Sequence, residues 1–209
     1  MSKFTYLLDP GHSGMVSGKY LTPGKRSPKF DDGTVLYEGV NNRIIVNMLI
    51  AELTKQGISA QDIVNSQEDV SLLTRVTRAN AAAHLKPCVY LSIHSDAAGN
   101  GMVWHSASGM SAYTSKGETA SDPFASLIMQ ELKTNFGNSV KWRTDMTDLD
   151  PDKEENFYVL KFTDCPAVLL ELGFHTNKEE ATAMLTPVYK QKIVTSIVEA
   201  IKKFELSHA

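Results

Sequence analysis

At 209 residues the chain is long enough for one domain with a substantial core, and its 42% hydrophobic and 22% charged residues are ordinary for a globular protein. A net charge of −3 argues against electrostatic capture of nucleic acid or an anionic membrane, and no apolar run approaches the roughly 20 residues that span a bilayer. The two cysteines, Cys88 and Cys165, form no C-x-x-C pair, which excludes zinc-ribbon and redox-motif readings and leaves buried, reduced thiols.

Phe4 to Leu8 reads as a first buried strand, ended by Pro10-Gly11. That short apolar stretch stops at Asp9 and lacks the longer apolar region of a secretory signal, so synthesis in the cytoplasm without a signal peptide is expected. Met15 to Gly33 is a long aperiodic loop, of the kind that is functional or disordered inside a compact domain. Asn41 to Lys55 carries Ile44, Ile45, Met48, Leu49 and Leu53 at helical spacing, with Gly57 as the stop. A short strand follows around Ile58 to Val64, then a helix from Ser71 to His84. Val89 to Ile93 is a continuous apolar run, the pattern of a central strand covered on both faces.

Beyond it, Met102 to Ser106 and Ser111 to Thr114 read as short strands, and Asp122-Pro123 starts a helix through Phe136. Asp145 to Glu155 is an acidic loop, while Phe157 to Leu160 and Ala167 to Glu171 read as strands. Lys178 to Leu185 and Val188 to Phe204 are predicted helices. Strands separated by helices, with no repeat and no linker, indicate a single α/β/α domain over residues 1–209, built on a largely parallel sheet.

In such sheets ligands bind at the carboxyl ends of the strands. His12, His94 and Glu171 fall at that end of three strands, and Glu38 opens the first helix. Two imidazoles and a carboxylate are a standard ligand set for a catalytic zinc that keeps a position open for water, and a second carboxylate is a natural general base. This combination predicts a metal hydrolase. Asp9, Ser13, Asn42, Ser95 and Asp96 are close enough in sequence to orient these groups. No G-x-S-x-G elbow, Gly-rich phosphate loop, dinucleotide fingerprint or H-E-x-x-H helix offers a different chemistry.

These residues lie in segments that resemble the zinc-dependent N-acetylmuramoyl-L-alanine amidases of the type-3 family, from about Phe4 to Phe204. Asp9-Pro10-Gly11-His12 is similar to that family's first motif, and Glu38 with Asn42 to its helix-initial glutamate and asparagine. Ser71-Leu72-Leu73-Thr74-Arg75 with Arg78-Ala79-Asn80 resembles its second helix, and Ser92-Ile93-His94 its second histidine motif. Pro166 to Phe174, with Asn177, resembles its catalytic motif. Ser13, Ser95-Asp96 and His175-Thr176 depart from the usual residues, and the Met15 to Gly33 loop is longer than in many members.

The resemblance implies a six-stranded sheet between helices and one zinc ion held by His12, Glu38 and His94, with Glu171 as the catalytic carboxylate. It implies peptidoglycan as substrate, cut between N-acetylmuramic acid and the L-alanine of the stem peptide. His175 and Asn177 are the candidates for contacting substrate. An endolysin that meets the cell wall after release or host lysis is the expected setting. The same donors would also serve a zinc peptidase acting within the stem peptide, and a degenerate domain that binds cell wall without cutting it is the non-enzymatic alternative.

Overall fold

The computed structural model describes residues 2–147 and 149–208. The chain forms β1 (Thr5–Pro10), a small hairpin of β2 (Met15–Val16) and β3 (Lys19–Tyr20), and then α1 (Glu38–Lys55). Next come β4 (Ser59–Asp62), α2 (Leu72–Ala83), β5 (Cys88–Asp96), β6 (Met110–Thr114) and α3 (Asp122–Phe136). The last third holds β7 (Lys153–Glu154), α4 (Tyr158–Phe162), β8 (Ala167–Phe174), α5 (Lys178–Leu185) and α6 (Pro187–Ser207). Several helix starts follow from local chemistry. Ser71, Asn177 and Thr186 accept hydrogen bonds from first-turn amides, and prolines occupy the first turns of α3 and α6.

Six strands pair in the order β4-β1-β5-β8-β6-β7. The run from β4 to β8 is parallel, whereas β6 is antiparallel to β8 and parallel to β7. Residue alternation along the central strands assigns two faces. Tyr6, Leu8, Val89, Leu91, Ile93, Val168, Leu170 and Leu172 pack under α1, α3 and α6 in the larger core. Leu7, Tyr90 and Leu169 pack on the other face, with Val76 and Ala79 of α2 and Val159 and Leu160 of α4. Near the carboxyl end this second face changes character, since Asp9, Ser92, His94 and Glu171 replace apolar residues there.

Two sequence expectations are corrected, and two loops prove to carry short strands. Phe157 to Leu160 is not a strand: Tyr158–Phe162 is a short helix, and a run that short cannot be told from a strand by periodicity. Met102 to Ser106 forms no strand, and the loop before it turns through Gly99 and Gly101 at φ 74° and 77°. The Met15 to Gly33 segment is ordered by the β2–β3 hairpin, and the acidic Asp145 to Glu155 loop supplies β7 as the edge strand, with Asp148 lying outside the described residues.

Candidate metal centre

The turn after β1 is set by a buried ion pair. Asp9 meets the guanidinium of Arg75 and accepts hydrogen bonds from Tyr90 Oη (2.5 Å) and Ser92 Oγ (2.7 Å). Arg75 also donates to the carbonyls of Pro10 (2.9 Å), Val70 (2.9 Å) and His12 (3.4 Å), so α2 grips the turn that carries the first histidine. His12 itself holds a left-handed backbone, φ 63°, a conformation that non-glycine residues adopt only where their surroundings impose it.

Three side chains converge beyond that turn. His12 Nε2 lies 3.2 Å and His94 Nδ1 3.0 Å from the same oxygen of Glu38, Oε1, and the donor atoms all lie within 4.8 Å of one another. Ligands about 2.1 Å from one tetrahedral ion must stand about 3.4 Å apart, so the donors and their spacing fit a metal ion. Glu38 is 1% exposed, against 18% and 17% for the two imidazoles, which places the carboxylate at the floor. Ser95 N–H donates to Glu38 Oε1 at 3.1 Å. Two glycines make the approach possible: a Cβ on Gly11 would stand 2.1 Å from the His94 ring, and one on Gly39 1.9 Å from the Ser13 carbonyl oxygen.

Two carboxylates at this rim are driven in opposite directions. Burial pushes Glu38 up, but hydrogen bonds and charges from His12 and His94 outweigh it and hold Glu38 well below the usual carboxylate range. Burial raises Glu171 well above that range, and the charges of Glu38 and Asp96 add to the shift. Glu171 pairs with His94 across the sheet. The inner oxygens of both carboxylates, Glu38 Oε2 and Glu171 Oε2, are buried with no hydrogen-bond partner among the described residues. Free acceptors of this kind suit a cation and a proton in transit. Two cavities, of about 580 and about 320 Å³, open on the cluster and share His12, His94 and Glu171 in their walls. The larger is walled on one side by Leu72, Phe157, Tyr158 and Val159.

Residues 7–203 match the family described as N-acetylmuramoyl-L-alanine amidase. The chain belongs to that family. It is 28% identical over 204 residues to LytH of Staphylococcus epidermidis, a probable cell wall amidase, covering 96% of this chain but only 58% of that protein's length. Among solved structures it is similar to the N-acetylmuramoyl-L-alanine amidase of Clostridium difficile 630, with a TM-score of 0.76 at 24% identity over 98% of this chain and 97% of that one. It is also similar to the catalytic domain of an endolysin targeting Clostridia difficile, with a TM-score of 0.68 at 18% identity, covering 96% and 97% of the two chains. At such identities these structures speak for the amidase-family fold.

Within that family frame, the two residues expected to contact substrate are otherwise engaged. His175 is fully buried. Its Nδ1 lies 3.0 Å from both the carbonyl oxygen and the hydroxyl of Ser95, and 3.7 Å from Glu38 Oε2. A carbonyl oxygen only accepts, so Nδ1 carries the proton. The reason is a bulge: His94 pairs with Glu171 but Asp96 with Phe174, so β8 spends three residues where β5 spends two. Gly173, at φ 91°, supplies the bend. Simple alternation from Glu171 would have turned His175 into the cavity; the extra residue turns it behind Glu38 instead. Asn177 caps α5, its Oδ1 accepting from the amides of Glu179 and Glu180, and its Nδ2 donates to the Ala107 carbonyl.

Of the orienting candidates, Ser95 alone bonds a cluster side chain. Asn42 donates to the Gly11 carbonyl (3.4 Å), Ser13 pairs with Thr22, and Asp96 pairs with Arg143. Sequence reasoning missed Arg75 as the anchor of the His12 turn, although its helical spacing with Leu72, Val76 and Ala79 on the apolar face was a signal of an internal partner. It also missed Lys25, which lines both cavities.

Proposed function

We propose that this chain is a zinc-dependent peptidoglycan hydrolase that cleaves the amide between N-acetylmuramic acid and the L-alanine of the stem peptide, working on the cell wall as an endolysin-type enzyme. The observation that carries the reading is a metal-type His12–Glu38–His94 cluster that shares one cavity with a second carboxylate, Glu171, whose inner oxygen is buried without a partner among the described residues. Family membership and the amidase names of its relatives support the substrate. No helix among the described residues is long and apolar enough to cross a membrane.

His12 Nε2, His94 Nδ1 and the Glu38 carboxylate would hold the ion. When bound there, zinc supplies the Lewis acidity that activates water and polarises a carbonyl. Glu38 remains ionised across the working pH range because its two histidine partners keep its pKa low. Glu171, in its ionised form, takes a proton from the attacking water and then delivers it to the departing alanine nitrogen. Burial, which raises its pKa, favours the protonated form from which the second transfer proceeds. Arg75 and Asp9 hold the His12 turn, and Ser95 N–H holds Glu38 from behind.

Mass spectrometry of the soluble products from purified peptidoglycan tests the reading. Free stem peptides beginning with L-alanine, formed by the zinc-loaded chain and lost on chelation, are expected. Cuts within the stem peptide would reassign the chain as a peptidase. Zinc binding without any cleavage would leave a wall-binding role.

A further inference from the structure

The long segment between His12 and Glu38 does more than connect them. Thr22 to Lys25 closes a turn, with Lys25 N–H donating to the Thr22 carbonyl at 2.9 Å. The Lys25 carbonyl then accepts from Glu38 N–H (3.0 Å) and from Tyr20 Oη (2.9 Å), while the same hydroxyl accepts from Gly39 N–H (3.0 Å). Arg26 bridges to Tyr37, and Ser27 N–H bonds the Leu36 carbonyl at 2.8 Å. The backbone of Lys25 is thus fastened to the first two residues of α1, one of them the carboxylate at the floor of the cluster. A long exposed side chain on so firmly held a backbone is presented, not left to wander.

Charge accounting singles that side chain out. Lys25 lines both cavities that open on His12, His94 and Glu171. The neighbouring arginines are committed: Arg75 to Asp9, Arg143 to Asp96, Arg43 to the carbonyls of Ser66 and Gly39, and Arg26 to the Pro23 carbonyl. Among the described residues the Lys25 ammonium has no such partner, in a site whose other uncommitted charge is the carboxylate of Glu171. It is also exposed, at the rim, whereas the inner oxygens of the reaction centre are buried. Its charge reaches His12 and Glu171, and its exposure leaves the ammonium open to a fixed charge on the substrate.

We infer that Lys25 is a specificity-determining residue that binds a carboxylate of the substrate's peptide portion. This rests on the amidase reading above. In peptidoglycan the residue after the alanine is acidic and linked through its side-chain carboxyl, which leaves an α-carboxylate free unless it is amidated. That group lies just beyond the scissile amide, where a rim cation would meet it.

The test compares two purified peptidoglycans, one with that α-carboxylate free and one with it amidated, using the full zinc-loaded chain. Wild type is expected to release stem peptide from the free-carboxylate polymer with roughly fivefold higher kcat/KM, the difference lying in KM, as for one solvated ion pair. Lys25→Ala should bring the ratio close to one, and Lys25→Arg, which keeps the charge, should retain most of it. The side chain is exposed, so an unchanged melting temperature is expected for both variants. A wild type without preference, or a Lys25→Ala variant with the wild-type ratio, overturns the assignment. An equal fall in kcat on both polymers also overturns it, and places Lys25 at the scissile carbonyl. Failure of wild type to release stem peptide from either polymer sinks the amidase reading, and this inference with it.

Discussion

The two faces of the central sheet are made by the same strands yet do opposite work. On β5, Val89, Leu91 and Ile93 point into the larger hydrophobic core under α1, α3 and α6. Their alternating neighbours Tyr90, Ser92 and His94 point the other way, where Tyr90 and Ser92 bond Asp9 and His94 bonds Glu38. β8 repeats the division, with Leu170 and Leu172 on one side and Leu169 and Glu171 on the other. The lesson is that a period of two lets one strand supply packing and chemistry at once, without either compromising the other. The stable face can then support the cost of unpaired acceptors at the floor of the site, such as Glu38 Oε2 and Glu171 Oε2.

This contrast can be broken from either side. The largest effect is expected at the rim. Glu171→Ala should keep zinc but lose turnover by about 10³-fold or more, because the proton carrier is gone. His94→Ala should instead lose the ion itself. Metal content by atomic absorption, set beside product release, separates the two, and a Glu171→Ala variant with near-wild-type turnover would remove that residue from the mechanism.

From the opposite face, Leu91→Ala leaves a cavity in the larger core and should cost about 2–5 kcal/mol of stability in urea denaturation. The folded fraction is expected to bind zinc with wild-type affinity. A weakened affinity would show that the two faces are not independent.

A smaller effect is expected behind the cluster. His175→Leu fills the same buried space but removes the Nδ1–H that faces Ser95 and Glu38, and should weaken zinc about tenfold in chelator competition. An unaltered affinity would reduce His175 to packing.

A change that should leave the site alone lies at the far edge of the sheet. Burial pushes Asp152 up to about 7, with Asp150 and Asp122 adding to the shift against the Thr114 hydrogen bond. The folded chain therefore holds a proton that the unfolded chain has released between about pH 4 and about pH 7, so stability falls as pH rises through that window. Asp152→Asn should flatten this slope in urea midpoints taken at about pH 5 and about pH 8 while leaving the rim untouched. An unchanged slope would mean that Asp152 does not titrate there.

Much of this arrangement was readable from sequence because it is local. Apolar runs at Phe4 to Leu8, Val89 to Ile93 and Ala167 to Leu170 announce buried strands, and the strand order of an α/β sheet gathers their carboxyl ends on one rim. His12, Glu38, His94 and Glu171 could be nominated together for that reason, and the folded chain brings all four to one cavity. What stayed hidden depends on register and long-range charge. The direction of His175 is decided by one extra residue in β8, which no count along the strand reveals. Tyr158–Phe162 is a helix because it covers α2 and β8, not because its sequence has a helical period.

The sequence by itself therefore determined the layers, the sheet and which polar residues gather at one end of it, since hydrophobic periodicity and strand-end polarity are properties of neighbours along the chain. Only the tertiary structure decided which carboxylate stays ionised and which histidine faces the cavity. It also decided which cation is left free. Each of those depends on partners brought from distant segments into a setting where charge and burial act over a few ångströms.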